Sequence, residues 1–248
     1  MIDIHNHLIP AVDDGCQTVH DSLSLLKEAE KENITDIIIT PHYMHNGLYH
    51  CFKQEIVRQL DALKKAYDGS IRLHPGNELY IHPELPGLLE QDKVCTLADS
   101  DYILVEFPFE QYRERYDEIL YELSLDQRVI IAHPERYTYV QKDPNFCLRW
   151  LKEGYLLQCN QSSLFNRKTK KTLEIMLKHH FVSFIASDAH HKERPLTLQD
   201  AYNRVSILLG KEEADQLFTY NSKKVIENKM ITADYQPIRF HSLFFRNH

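Results

Sequence analysis

The 248-residue chain is 43% hydrophobic and 26% charged, the balance of an ordinary soluble globular protein. A formal net charge of -7 excludes a broad basic surface for nucleic acid or anionic lipid, and no apolar run is long enough to span a bilayer. Five scattered cysteines with no C-x-x-C pair read as reduced thiols of a cytoplasmic chain, and the start MIDIHNH has neither the basic nor the apolar region of a secretory leader.

Short apolar runs alternate with helical periodicity, and no linker, low-complexity tract or internal repeat divides them. The first predicted strand, Ile2–Leu8, alternates, with Ile2, Ile4, Asn6 and Leu8 on one face and Asp3, His5 and His7 on the other. A helix over Thr18–Asn33 follows, opened by the cap-like Thr18-Val-His-Asp21. Next come a strand at Asp36–Thr40, a helix at Phe52–Tyr67 with Ile56, Leu60, Leu63 and Ala66 in register, and a strand at Ile71–Pro75. The remaining strands are Tyr102–Phe107, Arg128–Ala132, Tyr155–Asn160 and Phe181–Ala186. The remaining helices are Tyr116–Leu125, Phe146–Lys152, Thr169–His180 and Leu198–Leu209. Runs such as IIIT, VIIA and SFIAS are continuous and β-branched, as strands buried on both faces are. Seven strands alternating with helices predict an α/β protein, an irregular relative of the (β/α)₈ barrel; an open doubly wound sheet is the alternative.

The polar residues fall where such strands end. His5, His7 and Asp13-Asp14 follow the first strand, His42 the second and Asn77-Glu78 the third. Glu106 ends the fourth, His133 and Glu135-Arg136 the fifth, amides and serines the sixth, and Asp188 and His190-His191 the seventh. In a barrel those ends share one mouth, where active sites are built. The inventory is His5, His7, Asp14, His42, Glu78, Glu106, His133, Asp188 and His190, five imidazoles and four carboxylates. This donor set suits Zn, Fe or Mn and not a thiolate zinc site. Nine ligands exceed one ion, and two or three cations sharing carboxylates would use them and relieve their mutual repulsion.

Other residues read more plainly. Histidines 20, 50, 74, 179, 180, 241 and 248 suit ordinary surface or core positions, His82 before Pro83 suits a helix start, and His45 and His191 near the mouth stay open. Asp13 is an alternative to Asp14, or a turn former before Gly15. Glu135 suits a salt bridge with Arg136 as its plain reading, and whether Asp3 does more than support the site from behind stays open.

Taken together, H-x-H, D-D-G, T-P-H, N-E-L-Y, V-E-F, A-H-P-E-R-Y and S-D-A-H resemble the polymerase-and-histidinol-phosphatase (PHP) superfamily. Most closely, the chain is similar to the bacterial PHP-type protein-tyrosine phosphatases that accompany capsule and exopolysaccharide genes. The resemblance covers one domain, residues 1–230, and leaves 231–248 as a tail without an assigned role. It implies a distorted (β/α)₇ barrel and a trinuclear centre, usually Mn²⁺ or Fe, on the same nine residues. It also adds Arg136 and Arg194 as phosphate-binding catalytic residues. The implied reaction is attack of metal-activated water on phosphorus, in line with the departing phenolate. The implied substrate is a phosphotyrosine protein, the tyrosine-rich C-terminal tail of a capsule-synthesis kinase. One departure is the stretch HYMHNGLYH after the second strand, where a basic segment is expected and no Lys or Arg stands.

Four other readings compete. A small-molecule phosphatase of the histidinol-phosphate type shares the motifs. A metal-dependent scaffold without activity is disfavoured because all nine ligand positions are filled. A cysteine-nucleophile phosphatase lacks its phosphate loop, and a nuclease lacks a basic track.

Overall fold

In the computed structural model, which describes residues 1–45 and 47–238, every strand ladder is parallel. The strands are β1 (Ile2–Asp3), β2 (Asp36–Ile39), β3 (His42–Tyr43), β4 (Arg72–Pro75), β5 (Glu78–Tyr80), β6 (Tyr102–Glu106), β7 (Arg128–Ala132), β8 (Leu156–Asn160) and β9 (Phe184–Ala186). They form a sheet of order β1-β2-β4 and another of order β3-β5-β6-β7-β8-β9. The two are continuous: Ile39 pairs with Pro75 in the first and His42 with Glu78 in the second, at the same offset. Thus β2 and β3 are halves of one strand broken at Thr40-Pro41, and β4 and β5 halves of another broken at Gly76-Asn77. Pro41 has no N–H for the ladder. A Cβ at Gly76 would lie 3.0 Å from side-chain atoms of Ile38, Leu97 and Thr40, so the chain passes closer than a larger residue allows.

Counted this way, seven strands run in chain order, as predicted. Their edges meet at a single bridge, Asn6 with Ala189, where His7 N donates to Ala189 O and Asp188 N to His5 O, each at 2.8 Å. A bridge rather than a ladder makes this a distorted barrel. Asp3 lies at the seam, accepting from the Ser187 amide (2.8 Å) and hydroxyl (2.7 Å) and from the Asn6 amide group, so its buried carboxylate joins the first strand to the last.

The first strand corrects the sequence reading. Only Ile2–Asp3 forms a ladder, and Ile2 and Ile4 pack with Ile38, Leu104, Ile130, Leu156 and Phe184 inside the barrel. His5 and His7 nevertheless both reach the mouth, so strict alternation fails after Ile4. There the backbone switches partners: Thr40 N donates to Asn6 O and Asn6 N to the Thr40 hydroxyl. The other face of the sheet, including Ile37, Val105, Ile131, Leu157 and Ile185, packs with Leu26, Leu60, Leu120 and Leu173 of the helices. Both faces are therefore apolar, as the continuous strand runs required.

Helix α1 (Val19–Lys31) carries the expected capping box between Thr18 and Asp21, and α2 (Lys53–Ala66) buries Ile56, Leu60 and Leu63. The predicted helix Phe146–Lys152 is instead a 3₁₀ turn, Pro144–Cys147, capped by Asp143 and running into one α-helical turn, Leu148–Leu151. Short helices missing from the prediction include α3 (Leu85–Glu90), Thr138–Lys142 and Asn221–Ile226.

The tail through Ile238 packs on the barrel. Ile231 joins the interior cluster, Gln236 N donates to His179 O, and Ile238 and Asn145 exchange two hydrogen bonds. His241 and His248 lie outside the described residues. Among the described residues no helix is long and apolar enough to cross a membrane, and all five cysteines are free and buried.

Candidate metal centre

The carboxyl ends of the strands bring all nine predicted donors into four overlapping groups, each with its ligand atoms within 4.8 Å of one another. Glu78, at the start of β5, is the hub. Its Oε2 lies 3.1 Å from His5 Nε2, 3.4 Å from His7 Nε2 and 3.1 Å from His42 Nδ1, and its Oε1 lies 2.8 Å from His133 Nε2. Asp188 Oδ1 is 3.5 Å from His5 Nε2, His7 Nε2 and His190 Nδ1. Glu106 is 3.6 Å from His133 and 3.8 Å from His42. Asp14 is 3.6 Å from both His42 Nε2 and His190 Nε2; its side chain is 48% exposed while the others are nearly sealed, so it marks the open side.

Local backbone explains these positions. A Cβ at Gly15 would lie 2.2 Å from His7 O, so only glycine lets the D-D-G turn fold back against the histidine strand. His133 (φ 32°) and Asp188 (φ 51°) both sit in the left-handed region, strained backbone at the ends of β7 and β9 that aims them inward. Tyr137 fixes two neighbouring ends: its hydroxyl donates to Ala132 O (2.7 Å) and accepts from Phe107 N (2.9 Å).

The choice between Asp13 and Asp14 resolves on geometry. Asp13 accepts from His7 Nδ1 (2.7 Å), His42 N (3.0 Å) and Gly15 N (2.9 Å), so it orients His7 from behind and leaves Asp14 to face the cluster. Three supporting residues were not singled out from the sequence. Gln158 Oε1 lies 2.8 Å from His5 Nδ1, Gln158 Nε2 donates to Asn160, and Asn160 Nδ2 donates to Asp188 Oδ2. The signal was present as amides at alternate positions of an otherwise apolar strand. Phe109, the third, stacks on His133 at 5.7 Å and lies under the Arg136 guanidinium at 4.7 Å. Glu135 does not pair with Arg136 as expected. It is buried, accepting from Asn160 N (3.0 Å) and the Ser163 hydroxyl (2.7 Å), because the turn after His133 points it away from the mouth.

Arg136 Nη1 (3.0 Å) and Arg194 Nη2 (2.7 Å) converge on Asp188 Oδ2, the oxygen turned away from the histidines. His191 pairs with Glu193 outside the cluster, and His45 stacks on His82. His50, His74, His179 and His180 make ordinary local bonds.

The protonation pattern shows what the cluster lacks. Burial, reinforced by Glu78, pushes the Glu106 carboxyl well above its ordinary range. Burial and Arg136 drive His133 down to about 4; burial and His7 drive His190 down to about 2. Burial also acts on Glu78 and Asp188, but His5 outweighs it, with His42 at Glu78 and His7 at Asp188, and both stay well below the carboxylate range. His5 and His7 are raised in spite of burial by Glu78 and Asp188 and by Asp13. The carboxylates thus favour positive charge at the cluster. His42 Nδ1, Glu78 Oε2 and Glu106 Oε2 are buried without a hydrogen bond among the described residues. An unpaired imidazole nitrogen and carboxylate oxygens facing one cluster fit first-row divalent cations. The thiols do not offer an alternative nucleophile: burial pushes Cys16 up to about 11, and Cys51 and Cys95 up to about 12.

Gln158→Ala frees the His5 ring and is expected to weaken metal affinity by about 10- to 100-fold. Metal titration followed by calorimetry checks this; an unchanged affinity would remove Gln158 from the site.

A family model described as capsular polysaccharide synthesis, CpsB/CapC, matches residues 1–227. The chain is 32% identical to tyrosine-protein phosphatase YwqE of Bacillus subtilis, covering 98% of this chain and 99% of that protein. It is 30% identical to the putative tyrosine-protein phosphatase CapC of Staphylococcus aureus, over 98% and 100%. A crystal structure from work on YwqE of Bacillus subtilis and CpsB of Streptococcus pneumoniae, described as unique metal-dependent tyrosine phosphatases, superposes with a TM-score of 0.91 at 31% identity, covering 97% of this chain and all of that one. A Lactococcus lactis histidinol phosphate phosphatase, at 16% identity and a TM-score of 0.55, shares the fold. The chain belongs to the CpsB/CapC family.

Proposed function

We propose that the chain is a metal-dependent protein-tyrosine phosphatase, with residues 1–230 as its catalytic unit. The observation that carries this reading is the convergence of nine N and O donors beside two arginines that meet on one Asp188 oxygen. The similarity to tyrosine-protein phosphatase YwqE and to a crystal structure described as that of metal-dependent tyrosine phosphatases supports it. His5, His7, Asp14, His42, Glu78, Glu106, His133, Asp188 and His190 hold two or three ions, of which Mn²⁺ is our first choice and Fe or Zn the alternatives. When bound, the ions supply Lewis-acid neutralisation of phosphoryl charge and a more acidic water.

The chain's own groups do the rest. Arg136 is 33% and Arg194 39% exposed, with Asp188 as their inner anchor, so their outward N–H groups can grip a phosphate. Phe109 holds Arg136 by its ring face. Gln158, Asn160 and Asp13 keep ligand rings and carboxylates from turning. A phenolate leaving group, with a pKa of about 10, departs with less proton assistance than an alkoxide. The mouth is open at Asp14, which suits a residue presented on a protein. The substrate we favour is the tyrosine-rich tail of a kinase of capsule or exopolysaccharide synthesis, acted on in the cytoplasm.

A substrate panel tests the reading. kcat/KM for a phosphotyrosine peptide should exceed that for a phosphoserine peptide and for histidinol phosphate by about 10²-fold or more. Preference for histidinol phosphate would replace this reading with that of a small-molecule phosphatase.

A further inference from the structure

On the rim, apart from the nine donors, three further side chains meet. The His45 and His82 rings stack at 3.8 Å between centroids and 14° between planes. His45 Nδ1 lies 3.1 Å from Glu84 Oε2. His82 Nδ1 accepts from the Glu84 backbone N–H at 3.3 Å, which anchors the ring beside Glu84. One donor atom from each of the three lies within 4.8 Å of the others.

The three residues come from different parts of the chain. His45 lies in the segment after β3; His82 and Glu84 lie between β5 and α3, with Pro83 fixing the backbone between them. Nothing in the hydrophobic core requires two stacked imidazoles here. The His45 side chain is 36% exposed and that of Glu84 60%, so the stack is not a buried packing element. The segment after β3 also borders the metal centre, since Tyr49 stacks on His42 at 5.8 Å and 12°, and Met44 N donates to Tyr49 O at 2.7 Å. This is the stretch that lacks the expected basic residues.

We propose that His45, His82 and Glu84 form a separate rim site for a first-row divalent cation such as Zn²⁺ or Ni²⁺, and that this cation ties the segment after β3 to the start of α3. Two imidazoles and one carboxylate are a common three-ligand set for such ions and leave a coordination position open to water. Bonds of about 2.0–2.2 Å place tetrahedral ligand atoms roughly 3.3 Å apart, and the rings tilt out of their parallel stack to aim at one ion. An exposed, incomplete coordination shell gives exchangeable binding, suited to responding to cation supply and not to holding the fold. The site shares no ligand with the catalytic centre, and its occupancy sets how firmly the segment carrying Tyr49 is held at the mouth.

The test is a difference in stoichiometry. The full chain and its His45→Ala/His82→Ala variant, both saturated with Mn²⁺, are equilibrated with buffered Zn²⁺ and assayed for total bound metal. Because the catalytic ligands are common to both proteins, the difference isolates the rim. The wild type should carry one more ion than the variant, and Glu84→Gln should weaken that ion's binding. Chymotryptic cleavage at Leu48 or Tyr49 should slow on Zn²⁺ addition in the wild type only. Equal metal content in the two proteins, or the same cleavage rate with and without Zn²⁺, would overturn the proposal. Loss of more than one ion would do so as well, by placing these residues in the catalytic cluster. If the double variant fails to fold by circular dichroism, His82→Gln alone carries the same comparison.

Discussion

Replacing Glu78 with glutamine should lower phosphotyrosine turnover by about 10³-fold and reduce bound metal in parallel. The substitution keeps shape and volume, so the barrel should fold. What changes is charge at the point where four histidines meet, within 2.8–3.4 Å of the two carboxylate oxygens. The carboxylate is held ionised against its own burial by His5 and His42, which makes it the anion around which the other donors are arranged. A neutral amide supplies one oxygen and one N–H group. The N–H group repels a cation and faces either Oε2's three histidines or His133. Kinetics and elemental analysis on the purified variant check the result. Retained metal and a rate within a few-fold of wild type would remove Glu78 as the hub.

Stripping the metal should lower the melting temperature by about 5–10 °C. An ion at 100 times its dissociation constant stabilises the folded state by about 2.7 kcal/mol. For a chain of this size each kcal/mol corresponds to roughly 2–4 °C. The loss is no larger because the metal-free cluster partly compensates itself: Glu78, Asp188 and Asp13 push His5 and His7 toward their protonated forms, and burial pushes Glu106 toward its neutral form. Those protons must leave when cations enter, so metal binding weakens as pH falls. The melting shift between chelator and Mn²⁺ should therefore shrink from pH 7.5 to pH 5.5. A constant shift would show that His5 and His7 do not exchange protons for metal.

The site was largely legible because its signal is positional: buried strands ended, one after another, in His, Asp or Glu, and a barrel has one place for such ends. The nine donors converge as that reading required. The seven strands were legible as continuous apolar runs, but β3 and β5 were not. They are pairs and triplets that resume after Pro41 and Gly76-Asn77, too short for any periodicity to show. The face of Ile4 and the fate of Glu135 were misjudged for one reason. Both depend on where the backbone departs from ideal geometry, at the partner switch near Asn6 and the left-handed His133. Gln158, Asn160 and Asp13 act through contacts 6 to 153 residues distant in sequence, which spacing does not encode. The His45, His82 and Glu84 group escaped similarly: His82 read as a helix start, His45 stayed open, and Glu84 was not singled out.

The central claim is that these donors work by holding metal for phosphotyrosine hydrolysis. The most direct measurement is turnover of a phosphotyrosine peptide by protein exhaustively dialysed against chelator, then reassayed after Mn²⁺ is returned. The account predicts loss of activity on dialysis, recovery with Mn²⁺, and indifference to thiol alkylation throughout. Full activity in the dialysed, metal-free protein would contradict it.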